Sequence, residues 1–67
     1  MLEKRSISLS GHRTSIALEP AFWMALEATA ERSGVTLPGL IASIDAGRGA
    51  DEALASALRV FALTQAG

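Results

Sequence analysis

The stretch Thr14-Ser15-Ile16-Ala17-Leu18-Glu19-Pro20 alternates larger side chains (Thr14, Ile16, Leu18) with small ones (Ser15, Ala17) for five residues and then meets Glu19 and a proline. An alternation of period two is the pattern of a half-buried strand, with Ile16 and Leu18 on one face and Ser15 and Ala17 on the other. Proline is well tolerated as the first residue of a helix, where its missing N–H costs nothing, and Glu19 places negative charge at the positive end of that helix. Strand 14–18 is therefore expected to pass directly into a helix over 20–33.

Upstream, Ser6-Ile7-Ser8-Leu9-Ser10 alternates in the same way, and Gly11-His12-Arg13 separates the two stretches. Residues 1–13 are either a flexible arm or an extra strand that pairs with 14–18, since Ser-Gly is a turn signal. Downstream, the first helix has an apolar face of Phe22, Leu26, Thr29 and Ala30, flanked by Trp23 and Ala25, and Gly34 ends it. Thr36 is the N-cap of a second helix over 37–45, with Pro38 in its first turn and Val35 stapled to Leu40. Leu37, Leu40, Ile41 and Ile44 fall at i, i+3, i+4 and i+7 on one face of it. Gly47-Arg48-Gly49 is expected to be a flexible connection, since it lacks what a phosphate-binding loop needs. Asp51 is expected to cap a third helix over 52–65, with Leu54, Ala57, Leu58 and Phe61 inside and Val60 and Leu63 widening the stripe. The whole of 1–67 is read as one domain.

A chain of 67 residues buries only about 60% of its unfolded surface, so a lone core is marginal. Hydrophobic residues make up 49% of it, with no cysteine and one histidine, His12. Disulfide and metal staples are thus excluded, and self-association is the remaining source of stability. No apolar run suits a signal peptide or a membrane span, so a cytoplasmic, bacterial-type setting is expected. No cofactor is expected either. Catalysis is not expected, because a nucleophile with a nearby base, or a carboxylate pair in a pocket, has no candidate residues.

The net charge of −1 argues against an ordinary nucleic-acid binder, but its distribution does not. Residues 1–18 hold Lys4, Arg5 and Arg13 against Glu3, a net of +2, while residues 19–67 carry −3. A single strand needs a ladder for its backbone groups. If 14–18 pairs with the same residues of a second chain about a two-fold axis, Ile16 and Leu18 face the shared core and Arg13, Ser15 and Ala17 face outward. Such a two-stranded ribbon fits the major groove of DNA.

The run Lys4-Arg5-Ser6, then Ser10 to Pro20, leading into Phe22-Trp23 and Leu26, resembles the ribbon-helix-helix domain of small bacterial proteins, with Gly34-Val35-Thr36 as the turn between the first two helices. The resemblance implies a mainly α protein with one short β-strand. Two chains form an intertwined homodimer with a two-stranded antiparallel ribbon, and the third helix extends the minimal pattern. It implies kinship with Arc- and MetJ-like repressors, which read double-stranded DNA with strand side chains.

By that resemblance Arg13, Ser15 and Ala17 face the bases, and Thr36 sits where a phosphate is held. Lys4 and Arg5 are further candidates for DNA contact, and Ile16, Leu18, Phe22, Leu26, Leu40, Ile41 and Ile44 for the dimer core. Arg13 suits guanine and Ser15 suits any base edge, whereas Ala17 offers only a methyl group. The expected function is a dimeric transcriptional regulator. The alternative is a protein-interaction module of the same fold, antitoxin-like or an adaptor, without specific DNA binding.

Overall fold

The computed structural model describes residues 1–65; residues 66 and 67 lie outside the described part. Two strands, β1 (Glu3–Leu9) and β2 (His12–Leu18), are followed by three helices, α1 (Pro20–Ser33), α2 (Leu37–Gly47) and α3 (Leu54–Gln65). The expectation of one short strand is corrected here. The first alternating stretch is neither an arm nor a spare segment, and it pairs antiparallel with the second in the same chain, Ser6 opposite Ser15 and Leu9 opposite His12.

The two-residue loop explains the pairing. Ser10 and Gly11 have φ of 50° and 81°, as a type I′ turn requires at both central positions, and that turn follows the twist of the strands it joins. The backbone groups of β2 thus find a ladder within the chain on one side, with β1 as the only neighbour among the described residues in a two-stranded sheet.

An isolated hairpin is marginal in water, and here the helices support it. Ile7, Leu9, Ile16 and Leu18 join Trp23, Leu26, Ile41, Leu58 and Ala62 in one buried cluster. Each large apolar side chain in it is worth about 1.5–3 kcal/mol of burial. β1 rests on α2 and β2 on α3.

Trp23, with no exposed surface, lies at the centre of the inner face of α1, and Phe22 lies at its margin, half-buried. The sequence pattern suggests the reverse. Trp23 holds the inner position because its indole Nε1–H donates to the Glu3 carbonyl at 2.8 Å, satisfying the ring's one polar atom.

The helix ends follow the expected chemistry in two places. Gly34, at φ 70°, closes α1, with Gly34 N–H donating to the Glu31 carbonyl and Val35 N–H to that of Ala30, a Schellman motif. Thr36 Oγ1 accepts from Gly39 N–H at 3.1 Å and caps α2.

The link between α2 and α3 departs from expectation. α2 continues to Gly47, and Arg48 is pinned: its Nε donates to Asp45 at 2.6 Å and its Nη1 to the Glu52 carbonyl at 2.6 Å. Asp51 does not cap α3. The first helical turn closes on the Ala53 carbonyl, which accepts from Ala57 N–H at 3.0 Å, so α3 begins at Leu54 and not at residue 52.

Candidate nucleic-acid interface

The register assigns every hairpin side chain to a face. Glu3, Arg5, Ile7 and Leu9 of β1 share one face with His12, Thr14, Ile16 and Leu18 of β2. Lys4, Ser6 and Ser8 share the other with Arg13, Ser15 and Ala17, as the cross-strand pairs Lys4–Ala17, Ser6–Ser15 and Ser8–Arg13. All six outward residues except the half-buried Ala17 are exposed.

The outward face carries two cations, three hydroxyls, one methyl group and no carboxylate. Arg13 Nη1 donates to Ser6 Oγ at 3.3 Å, reaching diagonally across the two strands. Among the described residues neither Lys4 nor Arg13 has an ion-pair partner, whereas Arg5, Arg48 and Arg59 all do.

Arg5 stands apart from the other candidates. It follows Lys4 in sequence, so it lies on the opposite face, where its Nη1 donates to Glu27 at 2.9 Å and its Nε to Glu3. Its guanidinium carbon sits 4.7 Å from the centroid of the Trp23 ring, a cation–π contact. The hydrogen bonds it donates to Glu27 first and to Glu3 second hold its pKa above the ordinary arginine value. Arg5 therefore fastens β1 to α1, while Lys4 points to solvent.

Thr36 is exposed at the start of α2, and no hydrogen bond links it to the outward ribbon face. Its hydroxyl oxygen already accepts from Gly39, which leaves its proton to donate. A Cβ at Gly39 would lie 3.0 Å from Thr36 Oγ1, so the bare backbone there leaves room for the cap. Of the expected dimer-core residues, Ile16, Leu18, Leu26 and Ile41 are buried within the one chain. Phe22, Leu40 and Ile44 are half-buried. Leu40 and Ile44 line an open groove of about 450 Å³ between α2 and α3 with Val60 and Phe61.

The sequence alone does not single out Ser6 and Ser8 as site candidates. The signal is there in the alternation Ser6-Ile7-Ser8-Leu9, but it gains meaning only once β1 is paired with β2.

Among curated proteins none matches the chain. A solved structure, that of an uncharacterized protein from Bordetella pertussis Tohama I, is similar over 94% of this chain at 35% identity, with a TM-score of 0.76. The chain spans about half the length of that protein, 54% of it. The family model described as the ribbon-helix-helix domain matches residues 2–66. With the ribbon and helices in the order that this family requires, the chain belongs to the ribbon-helix-helix family.

Proposed function

We propose that the protein is a dimeric DNA-binding transcriptional regulator of the bacterial cytoplasm that reads the major groove with the outward side chains of β2 and performs no catalysis. One observation carries this reading. The two cations Lys4 and Arg13, without ion-pair partners among the described residues, share an outward ribbon face free of carboxylates. Positive charge displayed on an extended strand face suits a polyanion whose groove accepts such a strand pair.

Arg13 donates two bonds to a guanine edge, Ser15 donates or accepts at a base edge, and Ala17 touches a thymine methyl. Thr36, whose hydroxyl proton is left to donate, holds a phosphate at the positive end of α2. Arg5, engaged with Glu3, Glu27 and Trp23, serves the scaffold.

Two features support the dimer beyond the family's usual habit. Among the described residues β2 has β1 on one edge only, leaving the other open to the same strand of a second copy. Val60 and Leu63 of α3 are 53% and 67% exposed, an apolar surface that a second chain covers at little cost.

The α2–α3 groove also favours a second reading, an interaction module that binds a protein segment there and has no operator. Titrating the protein against mixed genomic duplex fragments at several salt concentrations, with Arg13→Ala in parallel, separates the two. Under the regulator reading wild type selects fragments, its affinity falls steeply with salt, and Arg13→Ala loses selectivity. Absence of binding by wild type at low salt removes that reading and moves the function to the groove.

A further inference from the structure

Apart from the charge of Lys4, the outward row of β1 has no contact assigned to it in the function proposed above, yet it is built like the row beside it. Lys4, Ser6 and Ser8 are all exposed, and each stands directly opposite a member of the β2 row. The carboxylate of this strand, Glu3, faces the other way and is held by Arg5.

Where these side chains fall on DNA follows from strand spacing, given the two-fold pairing of β2 that the proposed function assumes and on which this inference rests. Neighbouring strands are about 4.8 Å apart, so in a sheet ordered β1–β2–β2–β1 the two β2 axes lie roughly 2.4 Å from the dyad and the two β1 axes roughly 7 Å from it. The major groove is about 12 Å wide, which puts its walls about 6 Å from the same axis. β2 falls within the groove, and β1 falls over its walls, where the phosphates are.

We propose that β1 is a phosphate-contacting rail: Lys4, Ser6 and Ser8 of each chain hold the DNA backbone on either side of the groove while β2 reads the bases. The chemistry fits, since ammonium and hydroxyl groups are common ligands of phosphate oxygens and carry no sequence information. The bond from Arg13 to Ser6 joins the two rows and limits the sweep of the guanidinium. The rail adds charge without adding readout.

The test uses the full chain, a randomised duplex pool from which a preferred duplex is selected, and a scrambled duplex of the same length. Affinities are measured across about 50–200 mM salt, the range over which phosphate contacts dominate the response. Lys4→Ala is expected to weaken binding to both duplexes by the same factor and to reduce the slope of log affinity against log salt by about 1.8, roughly 0.9 for each of two lysines.

Ser8→Ala is expected to weaken both equally, roughly tenfold for the dimer, with Ser8→Thr restoring affinity because it keeps the hydroxyl. A changed sequence preference in Ser8→Ala overturns the rail, because β1 then reads bases. So does unchanged binding in Lys4→Ala and Ser8→Ala while Arg13→Ala still loses selectivity, and in that case DNA reading by β2 stands. Failure of wild type to retain anything from the pool at low salt overturns the DNA reading itself, and the rail with it.

Discussion

The inward face of the hairpin holds Ile7, Leu9, Ile16 and Leu18, all buried, whereas the outward face holds Lys4, Ser6, Ser8, Arg13, Ser15 and the half-buried Ala17. The two sets interleave residue by residue in the sequence, and a slip of one position would exchange them. Burial of the inward set therefore decides where the outward set points, and the Ser10–Gly11 turn holds the register between the strands. Stability and the proposed recognition lie on adjacent residues but depend on different neighbours. Substitutions on the two faces should accordingly have separable effects.

The largest expected effect comes from the inward face. Leu18 has no exposed surface, so Leu18→Ala removes buried methyl groups and leaves a cavity, a loss of about 2–5 kcal/mol. A domain this small has little more to lose, and thermal unfolding followed by circular dichroism should show the transition lowered drastically or absent. Ser15→Ala, on the other face of the same strand, should shift stability by less than about 0.5 kcal/mol. Equal effects of the two substitutions would break the separation of faces.

A smaller effect sharpens the comparison at neighbouring residues of β1. Arg5→Ala removes a cation from the Trp23 ring and two partly exposed ion pairs. Exposed pairs contribute little, so the expected loss is about 1 kcal/mol, most of it from the ring contact. Urea unfolding should register this loss, while the salt slope of DNA binding stays near that of wild type. Lys4→Ala should do the opposite. A large fall in the salt slope for Arg5→Ala would mean that this guanidinium leaves Trp23 to meet DNA.

How much of this was legible in the sequence depended on the range of the interaction. Features fixed by neighbours a few residues apart were readable: Ile16 and Leu18 as an inward pair, Glu19-Pro20 as a helix start, Gly34 as a stop and Thr36 as a cap. Features fixed across the fold were not. The pairing of β1 with β2 hung on a Ser-Gly loop, a weaker signal than Asn-Gly because serine seldom takes positive φ.

Phe22 and Trp23 are adjacent on the helix, and the groups that favour Trp23 as the inward ring, the Glu3 carbonyl and the Arg5 guanidinium, lie in β1, some twenty residues away. Asp51 had the right chemistry for a cap, but Arg48 ties the preceding turn into a different path. The same limit applied to the candidate site. Arg13 and Ser15 needed only the alternation of β2, whereas separating Lys4 from Arg5, and bringing Ser6 and Ser8 into the site, needed the register.

The smallest expected effect lies where the hairpin hands over to the helices. Arg59 Nε donates to Glu19 at 2.8 Å, fastening α3 to the start of α1. That hydrogen bond is the main reason the Glu19 carboxyl stays below its ordinary value of 4.5. A carboxyl whose pKa is lower in the folded state stabilises the fold at pH above its unfolded value, and the contribution is lost as pH falls through the folded value. Wild type should therefore have a slightly higher melting temperature than Glu19→Gln at neutral pH, with the two curves converging as the solution is acidified below about pH 4.5.

Both groups are substantially exposed, so added salt should shrink the difference. Glu19 also sits at the positive end of α1, which by itself favours a negative charge. Arg59→Gln separates the two causes. If the ion pair is responsible, this variant should lose the same acid-dependent increment as Glu19→Gln. If the helix end is responsible, Arg59→Gln should keep the wild-type acid dependence, and the bond to Arg59 would then be a consequence of where Glu19 sits and not the source of its shift.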